Sequence, residues 1–298
     1  NLAVLLEIAR LKQGTPVGSI VVMPVSPLDY RYGRDVAKEI WSREGRHARS
    51  LEVERALIWA HSKMGRVSPE DYDAVAEIAD PGIVTADRVD ELEAETKHDI
   101  MALTKAMAEA AGDSGWCIHL GATSNDTVDS AVALQIKDSI ELQEQSLITL
   151  IETLCEISER EKGTVMLGRT HGQAAVPITF GLKVAVWVDE MVRHLTRLRE
   201  MRPRCITGKF LGAVGTGAAQ GERALELQDL VLGELGLETP VATTQVVGRD
   251  RYIEWVGWMA NVATSIEKIL QEIRNLQRTE IGEVAEAFDT KKQVGSST

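Results

Sequence analysis

The sequence predicts an all-α fold, in which a bundle of long helices is joined to a smaller N-terminal helical domain. Hydrophobic residues make up 44% of the 298 residues, enough for a sizeable core, but aromatic residues make up only 4%. Ala, Leu, Glu and Val carry the pattern, and this composition favours helices packed on helices over a sandwich of sheets. Residues 126–162 contain no Gly or Pro, and their apolar side chains recur mostly at helical intervals. A helix of that length would extend about 55 Å, so it must belong to a bundle or an oligomer core.

The other elements follow from the same periodicity and from helix-breaking residues. Between residues 23 and about 115, shorter helical segments are interrupted at Gly45, at residues 65–69 and at Pro81-Gly82, which indicates a separate N-terminal domain. Residues 116–298 then form the long-helix domain. Besides residues 126–162, its predicted helices are Leu182 to Arg202, ended by Pro203, a shorter one from Glu222 to Leu237, and one from Asp250 to about Val284.

Charge and cysteine content exclude several classes of protein. The net charge of -12 argues against nonspecific binding to nucleic acid or to an anionic membrane, because both need a basic face. No segment approaches the roughly 20 apolar residues of a membrane span, and the N-terminal stretch does not resemble a secretory signal. The three cysteines (Cys117, Cys155 and Cys205) lack the spacing of a disulfide framework or a zinc site. These features favour a cytoplasmic protein whose anionic ligand, if it has one, is met by a local cluster of cations.

Three polar segments between predicted helices are candidates for a site. In the first, Lys97-His98-Asp99 places a cation, an imidazole and a carboxylate side by side, which fits a binding site or a solvated charged turn. In the second, residues 123–126 (Thr-Ser-Asn-Asp) suit a helix N-terminus, where capping and binding of an anion can coexist. In the third, His171 within Arg-Thr-His-Gly-Gln could donate a proton to an amine leaving group, or it could simply be satisfied inside a turn.

Together with the Gly-Ser-Ser-Thr at 295–298, these segments resemble the fumarase/aspartase superfamily of lyases, whose signature loop begins Gly-Ser-Ser. The resemblance runs from about residue 26 to 298 in matching order and spacing. It also includes SPLDYRYG (26–33), GAVGTGAAQG (212–221), QVVGRDRY (245–252) and EIRNLQRTEIGEV (272–284). It implies a long-helix bundle of the fumarase/aspartase type, assembled as a homotetramer with active sites shared between subunits. It further implies that residues 1–22 precede the native start at Met23, that the chain stops inside the signature loop, and that a third domain is missing.

The resemblance also implies roles for individual residues. His171 would be the proton donor, Ser296 the base, and His98 a supporting catalytic residue, without metal or organic cofactor. A serine hydroxyl is a poor base unless its alkoxide is stabilised, so the role of Ser296 depends on motif position alone. Lys97 stands where the family commonly has Arg, which keeps the charge and loses the bidentate fork. The implied substrate-binding residues are Arg31, Tyr32, Lys97, Asp99, His119, Thr123, Ser124, Thr170, Gln245 and Ser297.

The resemblance is strongest to the branch that eliminates fumarate from a succinylated purine nucleotide and from a succinylated imidazole carboxamide ribotide. Two alternatives remain: the argininosuccinate-cleaving branch, which usually has Ser-Arg-Asn-Asp at residues 123–126, and a catalytically silent structural relative. The glycines of residues 212–221 do not follow a β-strand, so close packing explains them better than a phosphate cradle does. His47, His61 and His194 are predicted on helical surfaces, without a function.

Overall fold

A computed structural model describes residues 32–286 of the chain. This part is built mainly of α-helices with one two-stranded hairpin, which confirms the predicted all-α class. Two short 3-10 helices, Gly112–Cys117 and Ala218–Arg223, complete the described elements. In chain order the helices and strands are α1 (Asp35–Trp41), α2 (Arg43–Lys63), α3 (Pro69–Ile78), α4 (Ala86–Thr96), α5 (Asp99–Ala111), α6 (Ser124–Arg160), β1 (Val165–Thr170), β2 (Gln173–Thr179), α7 (Phe180–Cys205), α8 (Ala224–Leu235) and α9 (Asp250–Leu276).

The long helices confirm the periodicity argument, with different ends. Helix α6 has the predicted length of 37 residues but begins at Ser124. Helix α7 continues past Pro203 to Cys205, so the predicted end at Arg202 is wrong. Proline removes one hydrogen bond of the last turn, while the Ile206 N–H still donates to the Arg202 carbonyl at 3.1 Å.

Helix α9 ends at Leu276, well before the predicted end near Val284. Beyond it, the N–H groups of Ile281 and Gly282 both donate to the Arg278 carbonyl at 2.8 Å, and Gly282 adopts a positive φ. The Glu283 N–H then donates back to the Leu276 carbonyl at 3.0 Å. These turn hydrogen bonds replace the helical ones and close the helix.

The β1–β2 hairpin was not predicted from the sequence. The strands pair antiparallel from Val165 opposite Thr179 to Thr170 opposite Gln173, with an irregularity between Leu167 and Arg169. At Gly168, a side chain would come within 2.4 Å of the Val176 carbonyl oxygen. Only glycine therefore allows the strands to approach at this irregularity.

The chain divides into two compact units. One comprises Pro24–Leu142 with Glu200–Trp255, and the other comprises Gln143–Arg199 with Val256–Thr298, each taken over its described residues. In the first unit α2 packs against α3 and α8, and its core includes Leu51, Leu57 and Ile58. The predicted domain boundary near residue 115 stays a prediction.

The second unit has its own core, which includes Leu154, Met191 and Ile269. Phe180 and Trp187 meet edge to face with ring centroids 6.5 Å apart. None of the helices described between residues 32 and 286 is long and apolar enough to cross a membrane.

The three histidines predicted on helical surfaces are in fact buried, so that prediction is wrong. His47 is 9% exposed, and His61 and His194 are each 1% exposed. Their imidazoles make hydrogen bonds inside the protein: His61 meets the Leu120 carbonyl at 3.0 Å, and His194 meets Ser265 Oγ at 2.8 Å. Such hydrogen bonds help an imidazole to be buried on a helix face.

Candidate active site

His98 and Ser124 meet in the first unit, although 26 residues separate them. Lys97 follows α4 in the left-handed region (φ 55°), and this sharp turn places His98 at the N-cap of α5. Nδ1 of His98 accepts a hydrogen bond from the Met101 N–H at 3.3 Å, and Nε2 lies 3.3 Å from Ser124 Oγ. Because Nδ1 acts as an acceptor, Nε2 carries the proton and donates to Ser124.

Asp99 beside it is engaged with the protein, since its carboxylate accepts from Arg46 at 3.2 Å. The Lys97 side chain is exposed. The three residues of the predicted triplet therefore have different environments. The His98 imidazole faces Ser124, the Asp99 carboxylate anchors α5 to α2, and the Lys97 ammonium is at the surface.

The N-terminus of α6 is capped by the side chain of Asp126, a residue in the first turn of the helix. Asp126 reaches back and accepts from the Thr123 N–H at 2.9 Å, which is one half of a capping box. Thr123 and Ser124 are half-buried at the helix N-terminus. Backbone N–H groups at such an end attract negative charge. This arrangement suits a carboxylate ligand.

Asp126 also belongs to a buried ion pair that sequence reasoning missed. It is 1% exposed and pairs with Lys209, whose side chain is 0% exposed. The Lys209 ammonium also donates to the Gly212 carbonyl at 3.1 Å, and the Gly212 N–H donates to Asp126 at 3.2 Å. Burial raises the pKa of Asp126, while Lys209 and the two N–H donors oppose that rise. The pair fastens the head of α6 to the glycine-rich segment.

The glycine-rich segment itself is shaped by close packing, as predicted. A side chain at Gly215 would come within 1.9 Å of the Thr243 carbonyl oxygen, and one at Gly217 would come within 2.4 Å of the Ala224 Cβ. Both glycines also have positive φ angles.

Asp129, one turn further along α6, anchors the segment that carries Gln245. It accepts from the Val247 N–H at 2.7 Å and from the Arg249 guanidinium at 2.9 Å. The Gln245 side chain is exposed beside this anchor. Tyr32 is 59% exposed at the start of the described chain, and Arg31 lies outside the described residues.

His119 lies just ahead of α6 in the left-handed region, with φ 60°. Its Nδ1 is 2.8 Å from Glu54 Oε1. Burial alone would lower the pKa of His119, but the Glu54 carboxylate, with a smaller contribution from Asp126, outweighs it and raises that pKa above 6.5. Sequence reasoning missed Glu54.

His171 occupies the tip of the hairpin in the second unit. His171 and Gly172 form the two-residue loop between the strands, with φ angles of 53° and 70°. Positive φ at both loop residues is the signature of a type I′ turn. The turn exposes the side chains of Thr170 and His171.

The end of β1 beside this loop is tied to the chain beyond α9. The guanidinium of Arg169 makes two hydrogen bonds to the Glu283 carboxylate, at 2.8 and 2.9 Å. Sequence reasoning did not single out either residue. The segment that continues from Glu283 leads to Ser296 and Ser297, which lie outside the described residues.

Comparison with known proteins identifies relatives along nearly the whole chain. A family model described as lyase matches residues 29–298. Adenylosuccinate lyase from Pyrococcus horikoshii is 48% identical over 276 residues, which cover 93% of this chain and 61% of the relative. Adenylosuccinate lyase from Methanothermobacter thermautotrophicus is 44% identical, with 93% and 62% covered. The chain thus spans about three fifths of the length of these curated relatives.

Solved structures agree with the fold. A fumarate lyase from Mesorhizobium sp. BNC1 superposes with a TM-score of 0.79 at 33% identity, covering 86% of this chain and 61% of that one. A 3-carboxy-cis,cis-muconate lactonizing enzyme from Pseudomonas putida gives the same TM-score at 30% identity, with 86% and 59% covered.

Proposed function

Since the chain belongs to the lyase family whose model spans residues 29–298, we propose that the protein is an adenylosuccinate lyase. It would eliminate fumarate from adenylosuccinate to give AMP, and from the succinylated imidazole carboxamide ribotide to give the amide. The observation that carries the proposal is the 48% identity to a curated adenylosuccinate lyase over 93% of this chain.

The proposed chemistry is an anti β-elimination. Ser296 removes a proton from the β-carbon of the succinyl group, and the electron pair is first held as a carbanion with aci-carboxylate character. The pair then forms the double bond of fumarate as the C–N bond breaks, and His171 gives its proton to the departing nitrogen. Exposure of His171 at the tip of a tight hairpin supports this role, because the imidazole can reach a ligand without unfolding its turn.

Substrate binding is assigned to the first unit and to residues around it. Thr123, Ser124 and the N–H groups at the start of α6 would hold a succinyl carboxylate, and the His98–Ser124 hydrogen bond supports this. Gln245 would contact the substrate near the scissile bond. Lys97, Asp99 and His119 would make charged or polar contacts with the substrate. Thr170 and Ser297 would contact the substrate near the hairpin. Arg31 and Tyr32 would recognise the substrate phosphate.

We also propose a cytoplasmic homotetramer in which each active site draws residues from several subunits. Exposed apolar side chains on α7 and α9 support assembly: Leu182 and Val186 on α7, and Val256 and Leu270 on α9, are 45–57% exposed. Assembly through these helices would bury such side chains. Sedimentation of the full-length gene product should give the mass of four chains, and a monomer would refute the assembly.

A parallel assay on two substrates tests the reaction. The full-length gene product should release fumarate from adenylosuccinate with AMP in equal amount, and should leave argininosuccinate intact. Cleavage of argininosuccinate alone would favour the sister branch, where Ser-Arg-Asn-Asp usually stands in place of residues 123–126. Release of fumarate from neither would favour a catalytically silent relative.

A further inference from the structure

Glu54 is a fully buried carboxylate that the proposed chemistry does not use. It lies on α2 with 0% of its side chain exposed. Its Oε1 receives two hydrogen bonds, one from Thr127 Oγ1 at 2.7 Å and one from His119 Nδ1 at 2.8 Å. Its Oε2 is buried and has no hydrogen-bond partner within the part of the chain that the structure describes. Burial of a carboxylate costs free energy unless hydrogen bonds and opposite charges compensate for the lost hydration. The two partners of Oε1 must therefore supply this compensation.

The two partners of Glu54 connect it to the candidate site. Thr127 lies in the first turn of α6, four residues after Thr123 and three after Ser124. His119 begins the loop that leads into the same helix, and its positive φ is unfavourable for a residue with a side chain. The hydrogen bond to Glu54 fixes the imidazole in this conformation.

The contact also determines the protonation of His119. An ionised carboxylate can only accept, so Nδ1 of His119 must carry a proton and donate it to Glu54. Nε2 then remains for another ligand, and 17% of the His119 side chain is exposed. The charged groups around this imidazole are Glu54 from α2 and Asp126 from α6, the latter neutralised by Lys209. A carboxylate neighbour favours the imidazolium form, in which Nε2 also becomes a donor.

We propose that Glu54 is a positioning residue, which holds His119 as an imidazolium whose Nε2–H binds an anionic group of the substrate. The inference rests on the proposed function and deepens it, because the substrate has anionic groups of two kinds, succinyl carboxylates and a nucleotide phosphate. His119 lies four residues before Thr123, the residue assigned to a carboxylate. The carboxylate is therefore the group that we assign to it.

Glu54→Gln tests this proposal, because the amide keeps the shape of the side chain and removes its charge. The matched control is Glu52→Gln on the same helix, since Glu52 pairs with Arg49 at a partly exposed position. Both variants of the full-length gene product are compared with the wild type, and circular dichroism checks their folding. The His119→Gln variant assigns the His119 signals in histidine-labelled protein.

The first readout is nuclear magnetic resonance of the His119 ring without substrate. The wild type should show the proton on Nδ1 and a pKa above that of an ordinary histidine, and Glu54→Gln should lower this pKa whereas Glu52→Gln should not. This readout is independent of catalysis, so it distinguishes failure of the inference from failure of the proposed function. An unshifted or lowered pKa of His119 in the wild type would overturn the inference, even if Glu54→Gln failed to fold.

The second readout is inhibition by fumarate and by AMP, which carry the two kinds of anionic group separately. Loss of one hydrogen bond to a charged group weakens binding by about tenfold or more, so Glu54→Gln should raise the inhibition constant of fumarate by that factor and leave that of AMP near its wild-type value. The protonated form binds, so fumarate binding should weaken as pH rises through the pKa of His119, and this loss should move to lower pH in Glu54→Gln. If Glu54→Gln instead weakened inhibition by AMP, His119 would be assigned to the phosphate and the carboxylate assignment would be overturned. Unchanged binding of both would overturn the role of Glu54.

Discussion

Lys209→Met removes the ammonium of the buried ion pair behind the head of α6 and keeps most of the apolar stem. Asp126 would then be a buried carboxylate with two N–H donors, from Thr123 and Gly212, and no positive charge. The Gly212 carbonyl would also lose its donor. Breaking a buried pair on one side typically costs about 3 to 5 kcal/mol. We expect a loss of that size in the free energy of unfolding at neutral pH, measured by chemical denaturation with circular dichroism at 222 nm.

The pH dependence of this loss identifies its cause. Burial already raises the pKa of Asp126, and without Lys209 that pKa in the folded protein should rise further above its value in the unfolded chain. The folded state then binds a proton that the unfolded state releases, so the destabilisation is complete above the raised pKa and disappears as pH falls below the ordinary carboxyl range. Lys209→Met should therefore be closer to wild type at pH 4.5, near the ordinary carboxyl pKa of about 3.9, than at pH 8, about four units above it.

Two further variants serve as controls. Combining Lys209→Met with Asp126→Asn removes both charges, so the double variant should be more stable than Lys209→Met alone. Arg223→Met breaks an exposed pair with Glu226 and should leave the stability unchanged. A Lys209→Met protein as stable as Arg223→Met, or a destabilisation independent of pH, would show that the buried charge of Asp126 does not need Lys209.

Three further variants probe binding, the hairpin and histidine burial. Lys97→Met should raise KM more than it lowers kcat and should weaken inhibition by AMP, because it removes a positive charge beside the proposed site; equal effects on KM and kcat would contradict this. Arg169→Met frees Glu283 and should lower fumarate release by up to about 10²-fold at unchanged helicity, since it loosens the end of β1 beside the His171 loop. Burial, helped by Arg197, lowers the pKa of His194, so the folded state resists protonation and thermal stability should fall as pH decreases from the ordinary histidine pKa of about 6.5 towards the lowered one. His194→Gln should flatten that decline, and an unchanged slope would show that other groups cause it.

Sequence periodicity predicted the long helices well because they depend on local properties. The absence of Gly and Pro over residues 126–162 gave helix α6 its correct length, with ends displaced by two residues. The end of α9 could not be predicted in this way, because turn hydrogen bonds around Arg278 and the contact of Glu283 with Arg169 replace the helical continuation. The hairpin was missed because its strands are short and the irregularity at Gly168 interrupts the alternation.

Some residues of the candidate site could be predicted from the sequence, and others could not. Motif resemblance singled out His98, Ser124 and His171, and the structure brings the first two together. Glu54 and Lys209 escaped notice because a single charged residue on a helix or in a loop normally faces solvent. Their burial depends on partners 65 to 83 residues away in the chain, His119 and Asp126. The local sequence around Glu54 or Lys209 does not indicate such distant partners.

The rate at which the full-length gene product releases fumarate from adenylosuccinate, with and without the His171 imidazole, tests the proposed mechanism. His171→Ala should lower kcat by about 10² to 10⁴, the range for a positioned general acid, while the helical content stays unchanged. His47→Ala, which removes an imidazole of the first unit that has no assigned role, is the matched control and should keep most of the activity of whatever fraction folds. If His171→Ala released fumarate at a near-normal rate, His171 would not be the proton donor, and the proposed mechanism would be wrong.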